Sequence, residues 1–308
     1  MPQIGFLVAT DKKTWKKYIS AFENKLTALD WNITANPQAA NDVNIVYSEA
    51  LGKPANFLPM ATAFVTTPVD IIVTSGTAPA RICKDATAAA NPPSSIPVVF
   101  ASAGDPVGSG LVNSLKKPGG NVTGGYNQQM NLVFKRVEEL REQWVRAHPG
   151  KPISQLNLGV IGTSLSNSPG ATEMTIVEKA ASVYGLTCQP HVQIDPNNAT
   201  NDIPVRIQNL RNVGVNVLYV CSDPVITSNA DAITNACNTG AKIETMHQFR
   251  EYHQNHGGTW SYGASFAEMF AKAADYVDQI LRAPNPAQFA GTLPVFEPNT
   301  VESVPPWS

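Results

Sequence analysis

Ile71-Ile72-Val73-Thr74-Ser75-Gly76-Thr77-Ala78-Pro79-Ala80 opens a stretch that runs through alanine-rich sequence to Ala90 and resumes at Pro97-Val98-Val99-Phe100. The apolar runs Ile71–Val73 and Val98–Phe100 are short and have no polar alternation, which predicts strands buried on both faces. Ala78–Ala90 predicts the helix between them. Strand, helix and strand in that order make a parallel βα unit, and the rest of the chain repeats it.

Upstream, Ile4–Val8 reads as a strand, and Trp15, Ile19, Phe22, Leu26 and Leu29 follow at helical spacing. Val43–Tyr47 predicts a strand and Phe57–Thr67 a helix. Downstream, Lys117-Pro118-Gly119-Gly120-Asn121-Val122-Thr123-Gly124-Gly125 is rich in residues that break regular structure and reads as a boundary. The alternation then restarts with a helix carrying Val133, Val137, Leu140 and Trp144, a strand at Leu158–Ile161 and a helix carrying Met174, Val177, Ala181 and Tyr184. Strands at Thr187–Val192, Val217–Cys221 and Ile243–Met246 alternate with helices at Ile203–Val213 and Ile226–Cys237. A last helix carries Phe270, Ala274, Val277 and Leu281, and a Pro-bounded segment follows at Leu293–Phe296. The tail is too short for a core of its own and must complete the earlier units. The expected fold is therefore α/β, two doubly wound parallel-sheet lobes joined by a multi-strand hinge. One lobe is expected to span 1–123 plus 262–291 and the other 124–261 plus 292–308.

Composition narrows the function classes. The chain has 308 residues, 43 % hydrophobic and only 15 % charged, with 22 basic against 24 acidic side chains, so it should bury a large core. A net charge of -2 and the lack of long like-charge runs argue against nucleic acid as a partner. No apolar stretch is long enough to span a bilayer, and Met1-Pro2-Gln3 leads straight into the first strand without a signal peptide. That fits a cytosolic protein or a mature secreted domain whose signal was removed. Cys83, Cys188, Cys221 and Cys237 show no zinc-type spacing, and any pairing among them is open.

In open parallel sheets ligands bind beyond the carboxyl ends of the strands. The loops there are small and polar: Ala9-Thr10-Asp11, Thr74-Ser75-Gly76-Thr77, Ala101-Ser102-Ala103-Gly104-Asp105-Pro106, Gly162-Thr163-Ser164-Leu165-Ser166 and Ser222-Asp223-Pro224. Hydroxyls and backbone N–H groups at helix starts suit a carboxylate or another small polar group. Any one of them is also an ordinary helix cap, but five such loops exceed what capping requires. Gly104–Gly110 lacks the Lys-Ser/Thr ending of a phosphate loop and the dinucleotide spacing. His247, His253 and His256 fall close together without the His-Glu-x-x-His pattern of a zinc site. No nucleophile motif is present, and Asp11, Asp105 and Asp223 are the carboxylates at strand ends. Binding an amine is a simpler role for them than hydrolysis. Tyr126, Phe249, Trp260 and Tyr262 near the lobe crossings suit either stacking on an aromatic ligand or hinge packing.

Pro97-Val98-Val99-Phe100-Ala101-Ser102-Ala103-Gly104-Asp105-Pro106-Val107-Gly108-Ser109-Gly110-Leu111-Val112, followed by Leu115-Lys116-Lys117-Pro118-Gly119-Gly120-Asn121-Val122-Thr123-Gly124, closely resembles the signature of a family of ABC-transporter substrate-binding proteins. Ile72–Ala80, Ser222-Asp223-Pro224, Phe249-Arg250-Glu251-Tyr252, Gly257-Gly258 and Ser261-Tyr262-Gly263 match in order. The chain departs from that pattern in the basic stretch Lys12–Lys17, in Trp15 and in the tail Asn299–Ser308. The resemblance implies the type I periplasmic-binding fold and an extracytoplasmic receptor that closes its cleft over a small solute and presents it to a membrane permease. It implies an amino acid, possibly aromatic, as solute, a periplasmic or extracytoplasmic location and no catalysis; no cofactor is expected, and the residue spacing gives no metal site. The resulting ligand-binding set is Thr10, Thr74, Ser75, Thr77, Ser102, Asp105, Tyr126, Asn127, Thr163, Ser222, Asp223 and Tyr262. Within it, Thr74, Ser75, Thr77 and Ser102 are assigned to a carboxylate and Asp223 to an amine. Two rivals remain at this point: a cytoplasmic sensor of the same fold, against which stands the lack of a helix-turn-helix before Ile4, and an enzyme using the strand-end carboxylates.

Overall fold

The computed structural model describes residues 1–90, 96–164, 169–222 and 224–304. In chain order the first elements are β1 (Gln3–Val8), α1 (Lys16–Ala28), β2 (Asn32–Ile33), β3 (Asp42–Glu49), α2 (Phe57–Thr66), β4 (Ile71–Thr74), α3 (Thr77–Ala89), β5 (Val98–Ala103) and β6 (Val122–Tyr126). Next come α4 (Val133–Ala147), β7 (Asn157–Thr163), α5 (Pro169–Val183), β8 (Thr187–Cys188), β9 (Val192–Ile194), α6 (Ala199–Asn212), β10 (Val217–Val220), α7 (Pro224–Ser228) and α8 (Ala230–Asn238). The chain closes with β11 (Glu244–His247), α9 (Arg250–His256), β12 (Trp260–Ala264), α10 (Phe266–Leu281), α11 (Pro286–Ala290) and β13 (Val301–Val304).

These elements form two compact units, Met1–Asn127 with Ser265–Asn299 and Gln128–Ala264 with Thr300–Ser308. In the first, the described strands pair in parallel in the order β2-β3-β1-β4-β5-β6. Strand alternation sends Phe6 toward Phe22 of α1 and Phe270 of α10, at centroid distances of 5.3 and 6.4 Å. Leu7 points the other way, into a cluster with Phe57, Ala61 and Phe64 of α2 and Ala80 and Cys83 of α3. Both faces are covered, which is why β1 and β4 read as unbroken apolar runs. Full burial of side chains such as Leu7 and Ile72 contributes about 1.5–3 kcal/mol each. The helix α10 starts at an N-cap serine, the Ser265 hydroxyl accepting from the Glu268 N–H at 3.4 Å.

In the second unit the order is β13-β12-β11-β10-β7-β8, with β9 also on β7. All described pairs there are parallel except β12 with β13. Leu158 and Val160 pack with Val133 and Val137 of α4 and Met174 and Val177 of α5. Ile161, Leu218 and Val220 pack with Ile203 and Ile207 of α6 and Ile233 of α8 on the opposite face.

The structure corrects four readings. The glycine-rich stretch lies just ahead of the boundary, which follows Asn127, and is no linker: it carries β6, an integral strand whose glycines let the backbone lie against β5. A Cβ on Gly124 would collide with the Phe100 carbonyl oxygen, and one on Gly125 with that of Ala101. Residues 292–299 join the first unit, where Val295 N–H bonds the Leu115 oxygen at 2.6 Å and Phe296 N–H the Gly124 oxygen at 2.8 Å. The expected strand Thr187–Val192 is two, β8 and β9, separated by Pro190, which offers no N–H to the ladder. The expected helix Ile226–Cys237 likewise lies in two pieces, α7 and α8.

Candidate functional site

Each sheet has one point where the strand order reverses. In the first unit the chain moves from β1 outward to β3 and then returns to β4 on the other side of β1, so the reversal lies between β1 and β4. At such a point the flanking loops diverge and leave a crevice beyond the strand ends. Thr10 lies just past β1 and Ser75 just past β4. Both are buried, and neither hydroxyl has a hydrogen-bond partner among the described residues. A buried hydroxyl without a partner costs about 1–3 kcal/mol, so one after each of the two strands that flank a strand-order reversal makes this a candidate place for a ligand to complete the bonding. The start of α3 adds the positive end of its dipole next to Ser75.

Other members of the expected set have structural partners. Thr74 donates its hydroxyl to the Leu7 oxygen at 3.0 Å, which locks β4 to β1. Thr77 Oγ1 accepts from Gly104 N–H at 3.0 Å and joins two loops, and its own proton meets no acceptor among the described residues. Ser102 Oγ accepts from Asn127 Nδ2 at 3.0 Å, its own proton also without an acceptor among the described residues, and Asn127 N–H bonds the Ala103 oxygen. Asp105 holds its own turn through Gly108 N–H at 2.8 Å, as Asp11 does through the N–H and hydroxyl of Thr14 at 2.8 and 2.7 Å. Tyr126 ends β6; burial pushes its phenol up, with the charges of Asp105 and Glu297 adding to the shift, so it stays a neutral donor.

In the second unit the chain moves from β7 out to β8 and returns to β10 on the other side, which places the reversal between β7 and β10. Thr163 ends β7, fully buried, and its hydroxyl has no partner among the described residues. Ser222 follows β10, where its N–H bonds Glu173 Oε2 at 3.1 Å. Asp223, assigned above to an amine, lies outside the described residues, as do Leu165 and Ser166. Tyr262, in β12, is half-buried; burial pushes its phenol up, and its carbonyl accepts from Arg136 Nε at 2.6 Å.

Gln248, Arg136, Glu173 and Gln129 were not singled out from sequence. Gln248 follows β11 at 4 % exposure, and neither the nitrogen nor the oxygen of its amide has a partner among the described residues. It offers donors and an acceptor at the carboxyl edge of the sheet, and its backbone lies so close to Gly263 that a Cβ there would strike the Gln248 oxygen. The histidines diverge. His247 is buried, with Nε2 2.9 Å from Thr245 Oγ1, while His253 and His256 bond the Thr259 oxygen and Asp231. Burial pushes the thiols of Cys83 and Cys237 up to about 12 and that of Cys188 up to about 11, which keeps them protonated. Trp15 precedes α1 and packs on Tyr18, Phe266 and Phe270 with ring centroids 5.3, 6.0 and 5.5 Å away.

Among known proteins, the family described as ABC transporter substrate binding protein matches residues 34–292. A tyrosine-binding protein of Clostridioides difficile is 24 % identical over 284 residues, which cover 92 % of this chain and 71 % of that protein. Two solved structures superpose with TM-scores of 0.77: a conserved domain protein from Vibrio cholerae, 22 % identical, covering 98 % of this chain and 91 % of its own, and an ABC domain in complex with L-Trp from Streptococcus pneumonia, 21 % identical, covering 98 % and 90 %. At these identities the structural likeness speaks for the shared fold, that of type I periplasmic-binding proteins. No described helix is long and apolar enough to cross a membrane.

Proposed function

Since the chain belongs to the ABC transporter substrate-binding protein family, we propose that it binds a small solute at the carboxyl edges of its sheets and delivers it to a membrane permease outside the cytoplasm. In this reading it carries out no chemical step. The solute is an amino acid, aromatic first. The observation that carries the reading is the pair of partnerless buried hydroxyls, Thr10 and Ser75, at the strand-order reversal of the first sheet. With the α3 start and the spare protons of Thr77 and Ser102, they make a set of neutral donors fitted to a carboxylate.

The aromatic preference draws on the tyrosine-binding relative and the neighbour that holds L-Trp. Tyr126 in the first unit and Tyr262 in the second each offer a ring of the kind such a side chain stacks on, and the Gln248 amide of the second unit both donates and accepts. Thr163 and Ser222 are the polar residues at the second unit's own reversal.

The test is calorimetric titration of refolded protein, stripped of carried-over solute, with L-tryptophan and L-tyrosine. One of them binds, and Ser75→Ala weakens it by about 1.5–3 kcal/mol, roughly ten- to hundredfold, the worth of a hydrogen bond to a charged group. Binding that is unaltered by Ser75→Ala would remove the carboxylate from this edge. Silence toward both amino acids would discard the aromatic solute.

A further inference from the structure

The chain passes between its units after Asn127, after Ala264 and after Asn299. Inside the second unit, a side chain or carbonyl close to each passage is tied to α4 or to Glu173 of α5. Gln129 Nε2, next to the first, bonds Glu173 Oε2 at 2.6 Å and the Ser222 oxygen at 3.3 Å. The Tyr262 carbonyl, next to the second, accepts from Arg136 Nε at 2.6 Å. The Ser303 hydroxyl, next to the third, bonds Glu139 Oε1 at 3.3 Å. Arg136 and Glu139 are three residues apart on α4 and share a helix face.

Arg136 and Glu173 close the network. Arg136 Nη1 lies 3.3 Å from Glu173 Oε1 and 2.6 Å from the Tyr219 hydroxyl, which itself donates to Glu173 Oε1 at 2.8 Å. Both charged side chains are fully buried, and Arg136 Nη2 has no partner among the described residues. Well-packed apolar residues generally match or exceed a buried ion pair in stability, so stability alone does not account for charges here. What the pair provides is fixed geometry: through Glu173 Oε2 it also holds the N–H of Ser222, at the reversal between β7 and β10.

We propose that the Arg136–Glu173 pair is a positioning device that ties the first two passages to the Ser222 loop, so that solute at that loop and the conformation of those passages are coupled. The effect on solute rests on the binding reading above; the coupling among the segments does not. Such coupling requires an element that both sites bias, and these hydrogen bonds run without a break from the Ser222 loop to the first two passages, while the third is held by Glu139 on the same face of α4.

The experiment is amide hydrogen exchange on Arg136→Met, on Glu173→Gln and on the double variant, with L-tryptophan titrations alongside. Either single variant strands a buried charge or its partners and lowers Tm, while the double variant recovers Tm by removing both. In the double variant the amides of 128–132, Ser222 and 260–264 exchange at least tenfold faster than in wild type, the β7 and β10 core amides do not, and L-tryptophan binds about tenfold more weakly. Wild-type exchange at those segments in a double variant of recovered Tm would overturn the proposal, because the pair would then be structural only.

Gln129→Leu supplies a milder second variant, since it cuts only the first link. It accelerates exchange at 260–264 as well as at 128–132, and acceleration confined to 128–132 would overturn the coupling. If L-tryptophan and L-tyrosine do not bind wild type, the solute reading fails, while the exchange comparison still decides the coupling.

Discussion

Lowering the pH from 6.5 to 4.5 destabilises the protein by about 2.3 kcal/mol through His247 alone, the slope approaching about 1.4 kcal/mol per pH unit below pH 6. Burial, with smaller contributions from the neighbouring His256 and His253 charges, pushes the imidazole down to about 3 from 6.5. Between those two values the unfolded chain binds a proton that the folded protein refuses. Stability is therefore fully present above pH 6.5 and is lost as pH falls toward 3. Burial pushes the carboxyls of Glu139, Glu173 and Glu244 up, and these groups act with the opposite sign in the same window. The quantity to measure is therefore the difference between wild type and His247→Gln. Urea unfolding at pH 7.5 finds the variant somewhat less stable, having lost a buried hydrogen bond worth about 1 kcal/mol. At pH 4.5 the order is reversed. Parallel pH profiles for the two proteins would mean that His247 is not held neutral.

Gly263→Ala is the second large effect, because the new methyl group meets backbone rather than a side chain that could swing aside. The Gln248 carbonyl oxygen and carbon lie where the Cβ must go, so β12 and the segment after β11 are forced apart. Overpacking of this kind costs about 1–3 kcal/mol and more where backbone must move. Gly263 stands next to Ala264, the last residue before the chain re-enters the first unit, and the displaced Gln248 carries the partnerless amide. The variant therefore loses both stability and affinity for the solute. Thermal unfolding together with titration checks this; an unchanged Tm would show that the strand end yields without cost.

Much of the fold could be read from the chain because strands covered on both faces leave an unmistakable apolar signature. Ile71–Thr74 and Val98–Ala103 are buried at every position, and the helix between them has the length a crossover needs. The signal failed where tertiary contact, not local propensity, chose the residue. Gly124 and Gly125 look like a linker, yet they are glycine because β6 runs against the carbonyls of β5. The last strand, Val301–Val304, gains its partner only when the chain returns to β12.

The first-sheet loops were recognisable as polar strand ends, but sequence could not separate Thr74, whose hydroxyl is spent on Leu7, from Ser75, whose hydroxyl is not. The buried network did leave a trace. Arg136 falls beside Val137 on the stripe of Val133, Val137 and Leu140, and Glu173 falls four residues before Val177 on the stripe of α5. A charge on the apolar face of an amphipathic helix must find a partner, and those two find each other.

The central claim is that solute completes the hydrogen bonding of the partnerless groups at the strand ends. Amide hydrogen exchange of the refolded protein, with and without saturating L-tryptophan or L-tyrosine, tests it most directly. Slowed exchange is expected at Thr10–Asp11 and Ser75–Thr77 of the first unit, with the outer strands β2 and β8 unchanged. Binding that slows exchange elsewhere and leaves those segments as they were would contradict it.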